Sequence, residues 1–402
     1  METKVYYGEY TLEYWIALML KKDIVLPSYQ RSFVWEKNDV VTFIKSLKHH
    51  TYAPPVTIGA FWQNGKPINY IIDGQQRLTS IILAALGYFP IKNKFRQEEF
   101  VEGDETSKKA LWTFNDLVEI GEISIDSLRG KISQTLYGAL GESLSIEELN
   151  NIHLGYSFIV PQVPDHQDTN EQQAYFTRLF RSINFQGIAL DSLESRRSLY
   201  FLNVNYSEWF EPEFLSKIKG VHVDFVRIVS LLTNYHHLKR INPDAKISWS
   251  SIIPSSYSNK QYEEYYEKYI YSVTKVDSDY DRASLENTFG SFEEIFPDSI
   301  YSNRLSQVDQ VIETLGLYEQ NYEGVIKSDL YLFGLIYFVL LENKPIDVNN
   351  AEKIERLKHS LQAAEETFKN DTLHKKSPNT KTYLSRRIDR SINAYSKSLV
   401  EE

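Results

Sequence analysis

The chain has 402 residues, and 44 Lys and Arg against 54 Asp and Glu give a formal charge of −10. That length points to two or three domains at roughly 150 residues each, and the acidic balance excludes a globally basic nucleic-acid coat. There is no Cys, which removes disulfides, thiolate metal sites and a Cys nucleophile and fits a reducing cytoplasm.

The opening METKVYYGEY carries acids and no apolar stretch, so no secretory leader is expected. Leu12, Trp15, Ile16 and Met19 fall at i, i+3, i+4 and i+7. This spacing predicts a helix over 11–21, with Thr11 as its N-cap. Residues 23–26 read as a short extended piece ended by Pro27. Asn38 is the expected cap of a second helix carrying Val40, Val41, Ile44 and Leu47, and Pro54-Pro55 stops that region. Residues 56–62 read as a strand, Asn64-Gly65 as a hairpin turn and 68–72 as the returning strand. A helix follows over about 76–86.

Residues 93–110 are charged and poor in apolar side chains, the pattern of an exposed loop. Short strands are expected at 117–120 and 157–163. Pro161, Pro164 and the polar run 165–170 mark a break. Beyond it, helices are expected over about 170–184, 191–203, 221–238, 259–273, 305–317, 328–342, 350–369 and 382–398. The run 331–341 is the most apolar, but a bilayer span needs about 20 residues. It reads as a buried helix, and no membrane contact is expected. These elements make an α+β chain: an α/β part over 1–165, then a mostly helical part over 166–402.

The densest signal is IIDGQQRLTS, residues 71–80, a strand, a polar turn and a helix. A helix N-terminus presents free N–H groups and the positive dipole end, which suits a phosphate. Gly74 permits the turn and a close backbone approach. Arg77 can grip phosphate oxygens in a bidentate way. Asp73 can hold Mg²⁺ through one carboxylate or position a water. Gln75 and Gln76 can orient a base, sugar or water. The competing reading is an ordinary turn, with Asp73 as N-cap and Arg77 on a solvated face.

This string resembles the signature of the GmrSD-type N-terminal-domain family of modification-dependent restriction and anti-phage systems. LPSYQRSFVW, residues 26–35, is similar to a second family element, and LFRSINFQGIAL, residues 179–190, followed by Glu194 and Arg196, to a third. All three stand in the family's order, so the family core extends to about residue 200. The resemblance implies a ParB/sulfiredoxin-like nucleotide-binding fold over 1–165 and NTP with Mg²⁺ as cofactors. It implies a site of Asp73, Gly74, Gln75, Gln76 and Arg77, with Thr79 and Ser80 following in the same string. Gln30 and Arg31 would face phosphate or DNA, and Asn184 and Gly187 would complete the pocket. Phe33, Val34 and Trp35 read as core residues anchoring the QR loop in preference to base stacking, and Glu194 with Arg196 reads also as a helix-surface pair.

Relatives often carry an HNH nuclease domain or pair with a subunit that does. The nine His here are not grouped for such a site, so no HNH domain is expected and cleavage falls to a separate nuclease partner. DNA contact must then be local. The segment 375–390 carries Lys375, Lys376, Lys381, Arg386, Arg387 and Arg390 against Asp389 alone. It can grip phosphates or serve as a solvated basic face beside an acidic neighbour. The Tyr residues of 262–271 are interleaved with Glu, which favours helix packing over base stacking.

Two functions follow from this. One is an NTP-binding and NTP-hydrolysing, DNA-sensing subunit of a restriction or anti-phage system, cytoplasmic, with oligomerisation left open. The other is a non-catalytic nucleotide- or DNA-binding module that regulates a partner protein.

Overall fold

A computed structural model describes residues 3–27, 32–63, 66–95, 97–99, 108–110, 112–161, 169–186, 192–200, 202–221, 223–254, 259–276, 278–297 and 300–400. The chain divides into two compact units. One is Met1–Arg96 with Ala110–Val204, and the other is Gln97–Lys109 with Asn205–Glu402.

The first unit begins with strand β1 (Thr3–Thr11) and helix α1 (Leu12–Leu20). The Thr11 hydroxyl accepts from the Tyr14 N–H, as its position before the apolar stripe predicts. Helix α2 (Lys37–Lys48) is capped by Glu36 in a reciprocal pair with Asp39, not by Asn38. The carboxylate at Asp39 reaches back to the Glu36 N–H, which moves the helix start earlier. Strands β2 (Val56–Gln63) and β3 (Lys66–Asp73) form the expected antiparallel pair. Asn64 and Gly65, read as its turn, lie outside the described residues. Helix α3 (Gln75–Leu86) follows at once and is almost wholly buried.

Next come β4 (Tyr88–Pro90), then β5 (Gln97–Glu99) and β6 (Lys108–Ala110), which pair with each other. These two strands fall in the second unit's Gln97–Lys109 segment but for Ala110. Back in the first unit follow α4 (Asn115–Val118), α5 (Ile125–Lys131), β7 (Tyr137–Ala139), α6 (Ile146–Asn151) and β8 (His153–Pro161). The strand expected at 117–120 is instead the short helix α4. Asp116 bonds the Thr113 N–H at 2.7 Å and starts a helical turn there. Helices α7 (Thr169–Gln186) and α8 (Ser192–Leu199) close the unit.

The main sheet has the order β1-β8-β2-β3, and only the β8–β2 pairing is parallel. Its two faces are both covered. Val56, Ile58, Ile71 and Leu154 pack with α1 and α3 on one side. Phe61, Ile72 and Ile159 meet Phe176 and Phe180 of α7 on the other. The Phe176 ring fills the space where a Cβ on Gly59 would stand, so that strand position must be Gly. Helix α7 therefore belongs to the first unit, and the division falls between Val204 and Asn205 rather than at the break near 165.

The second unit is helical from α9 (Ser207–Phe210) onward. It contains α10 (Phe225–Ile241), α11 (Trp249–Ile252), α12 (Asn259–Thr274), α13 (Arg282–Phe289), α14 (Phe292–Ile295) and α15 (Tyr301–Thr314). It ends with α16 (Val325–Ile336), a π-helical stretch Tyr337–Leu341, α17 (Ala351–Asn370), α18 (Thr372–Lys376) and α19 (Lys381–Ser396). Tyr266 and Tyr269 of α12 are buried in helix contacts. The apolar run 331–341 is buried as α16 and the π-helical stretch. It packs on α19, where the Ser391 hydroxyl donates to the Leu330 carbonyl and accepts from the Gly334 N–H, both at 2.7 Å. Among the described residues no helix is long and apolar enough to cross a membrane.

Candidate functional site

The turn between β3 and α3 is built by local chemistry. Asp73 ends β3 opposite Thr57, where a register shift between Thr57 and Ile58 interrupts the β2–β3 ladder. Gly74 then takes φ = 100°, the left-handed region open to Gly. A Cβ there would stand 3.0 Å from Val56 Cγ2 and 3.1 Å from Arg77 Nη2. Gly74 is the N-cap of α3 and supplies no side-chain cap, so Asp73 does not cap the helix. No acidic residue lies in the first turn of α3. Its positive dipole end is met by no carboxylate of its own turn.

Asp73 is spent on Arg77 instead. Arg77 Nη2 donates to Asp73 Oδ2 at 2.6 Å and to the Pro55 carbonyl at 3.2 Å. The side chains are 14% and 33% exposed for Arg77 and Asp73. Arg77 Nε is buried and has no hydrogen-bond partner among the described residues. Of the five guanidinium N–H groups, two on Nη2 are spent on Asp73 and Pro55.

Gln76 has a different task. Its Oε1 accepts from the Val34 N–H at 3.0 Å and the Trp35 N–H at 3.2 Å, while its Nε2 donates to the Ser32 carbonyl at 3.1 Å. The buried amide clamps the loop over residues 32–35 against the N-terminus of α3. Lys92 ties down the outer side of that loop through the Val34 carbonyl and Glu36. Gln75 is buried, and Thr79 and Ser80 have no exposure at all. The Ser80 hydroxyl donates back to the Gln76 carbonyl at 2.7 Å. These hydroxyls face the interior, because the whole length of α3 lies in the core, and neither has surface to offer a ligand.

The structure therefore gathers Asp73, Gly74, Gln76 and Arg77 at one turn. Gln30, Arg31 and Gly187 lie outside the described residues, as does the side chain of Asn184 within α7. Phe33 is a core aromatic, edge-on to Trp112 and Phe89. Arg196 is buried, so it is not a surface pairing residue. Sequence reasoning missed the Pro55 carbonyl and the backbone of 32–35. The i, i+4 spacing of Asp73 and Arg77 is the signal that would have found their pairing.

The basic segment lies in the second unit and splits in two. Lys375, Lys376, Arg386 and Arg390 are exposed and Lys381 is half-buried. Arg387 has no exposure and is not a DNA contact. Its Nε donates to Asp329 Oδ2 at 2.9 Å, and its Nη1 meets His374 Nε2 at 2.8 Å and the Pro378 carbonyl. Asp329, also unexposed, additionally holds Arg227 through both oxygens. Pairing and burial consume the guanidinium that the local sequence offered to phosphate.

A mixed sheet covered on both faces, feeding a left-handed glycine turn and a helix with an arginine in its first turn, defines an α+β domain. Residues 16–201 match the family described as GmrSD restriction endonuclease, N-terminal domain. An uncharacterized protein of Methanocaldococcus jannaschii is 24% identical over 245 residues, covering 49% of this chain and 42% of that protein. The chain thus spans less than half the length of that relative. No solved structure matches the chain.

Proposed function

We propose that the first unit binds the phosphates of an NTP at the start of α3 and hydrolyses it, as the DNA-sensing component of a restriction or anti-phage system that works with a separate nuclease. The family supports the setting, and a ParB-like nucleotide-binding ancestry is part of this reading. The observation that carries it is Arg77, partly exposed and held at the helix N-terminus beside a first turn that has no side-chain cap and no acid.

The roles follow from the geometry. Gly74 admits phosphate oxygens close to the backbone, at the helix end where N–H groups point outward. Arg77 neutralises their charge. Gln76 is a positioning residue, since its amide is committed to the 32–35 loop. Asp73 offers one carboxylate, and among the described residues no three His, Asp or Glu side chains gather as a metal site. That fits Mg²⁺, which is commonly held by one carboxylate together with phosphates and waters. Bound in that way, Mg²⁺ would screen the phosphate charge. Asp73 would meanwhile release Arg77 to the nucleotide.

The Asp73–Arg77 pair also favours a second reading, a non-catalytic clamp. Both groups already satisfy each other, and Gln76 is not free to orient water. Phosphate release from each NTP with Mg²⁺ by the full chain and by Arg77→Ala separates the two. Turnover lost in a folded variant supports hydrolysis. Nucleotide that raises the melting temperature without turnover supports the clamp.

A further inference from the structure

Among the cations without an ion-pair partner, one group is clustered on two neighbouring helices of the second unit. Several exposed Lys and Arg of the second unit have carboxylate partners, among them Lys217 with Asp309, Lys275 with Glu293, Arg356 with Glu352 and Lys369 with Glu365. Lys375, Lys376, Lys381, Arg386 and Arg390 have no ion-pair partner among the described residues. The two acids near them in sequence are otherwise engaged. Asp371 caps α18 through the Leu373 and His374 N–H groups, and Asp389 accepts from Trp249.

These cations come from the short helix α18 and the longer α19, and a stack of side chains joins them. The His374 ring lies 4.5 Å from the Tyr383 ring, nearly parallel to it. The Arg386 guanidinium lies over the same Tyr383 ring at 5.6 Å. Tyr383 thus links the end of α18, with Lys375 and Lys376, to the face of α19 carrying Arg386 and, one turn on, Arg390. Beneath them, buried Arg387 ties His374 and the Pro378 carbonyl to Asp329 of α16. The cations therefore ride on a cross-linked base, and little ordering is needed to present them together.

We infer that the α18–α19 face of the second unit is a binding surface for the phosphate backbone of double-stranded nucleic acid. Cations without partners on a rigid face gain most from releasing a polyanion's counterions. No carboxylate need be displaced. Helix-borne Lys and Arg favour contact with the phosphate backbone, which positions a duplex without reading its bases. This inference deepens the reading above by naming the surface through which the chain would meet DNA.

The test is fluorescence anisotropy of a random-sequence 20-base-pair duplex with the full chain across a salt series. It is repeated with Lys375→Gln/Lys376→Gln and with Arg386→Gln/Arg390→Gln. Each removed contact is expected to flatten the log–log salt slope by about 0.9, so each double variant loses about 2 and binds on the order of tenfold more weakly at 0.1 M salt. Unchanged melting temperatures show that both variants fold. No duplex binding by the parent chain, or slopes equal in parent and variants, overturns the inference. Polyglutamate competing as well as unlabelled duplex overturns it in favour of an acidic protein partner. NTP turnover, measured on the same samples, judges the first-unit site separately. Turnover without duplex binding sinks only this surface, and duplex binding without turnover sinks only hydrolysis.

Discussion

The chain uses an aspartate–arginine pair in two opposite settings. In the first unit, Asp73 and Arg77 meet across one helical turn with both side chains partly in water. In the second, Asp329 holds Arg227 and Arg387 where neither Asp329 nor Arg387 has any exposure. A partly solvated pair is worth about 1 kcal/mol or less, so an incoming phosphate can replace the carboxylate at small cost. A buried pair cannot be opened that way, because the partner left behind is an uncompensated charge in a poor dielectric. The same two residue types thus make a switchable contact in one place and a permanent one in the other. Burial decides between them.

The largest effect should come from breaking the permanent pair. Asp329→Asn leaves two buried guanidinium groups facing each other and is expected to remove about 3–5 kcal/mol from the second unit. Urea denaturation followed by circular dichroism reads this. A loss below about 1 kcal/mol would erase the contrast between the two settings.

A smaller effect, dependent on pH, should appear at His374. Burial, and then the Arg387 charge, pushes its imidazole down to about 4. Arg386 also opposes its protonation, while Asp371 and Asp329 favour it. The unfolded chain takes up that proton near pH 6.5, before the folded one does. The contribution is therefore fully present above about pH 6.5 and is lost as pH falls toward 4. His374→Gln should flatten the fall in melting temperature between pH 7 and pH 5. An equal fall in parent and variant would remove His374 from the account.

The smallest stability effect should follow Asp73→Asn, about 1 kcal/mol or less by thermal melting. The same variant frees Arg77 and should alter nucleotide binding far more than stability. A loss above about 3 kcal/mol would make this pair structural as well.

What was legible in the sequence was what is decided within a few residues. Thr11 caps α1, the β2–β3 hairpin and α3 lie where their periodicity places them, and Gly74 takes its left-handed turn. What was not legible depends on partners far along the chain. Gln76 reads as a water-orienting amide until Ser32, Val34 and Trp35, more than 40 residues earlier, take its atoms. Arg387 reads as a phosphate contact until Asp329, 58 residues upstream, claims it. Strand β1 shows no inward–outward alternation, since six consecutive residues are exposed. It is a strand because β8 pairs with it.

That last pairing has a consequence during synthesis. Thr3 pairs with Pro161, 158 positions later. At about 5–20 residues per second, the first strand waits roughly 8–30 seconds for its partner to leave the ribosome. Throughout that interval Val5, Tyr6 and Tyr7 sit on an unpaired strand, and they stay exposed even in the finished sheet edge. Folding during synthesis therefore depends on how well the nascent chain guards β1, and translation speed between Thr3 and Pro161 should change the yield of folded molecules.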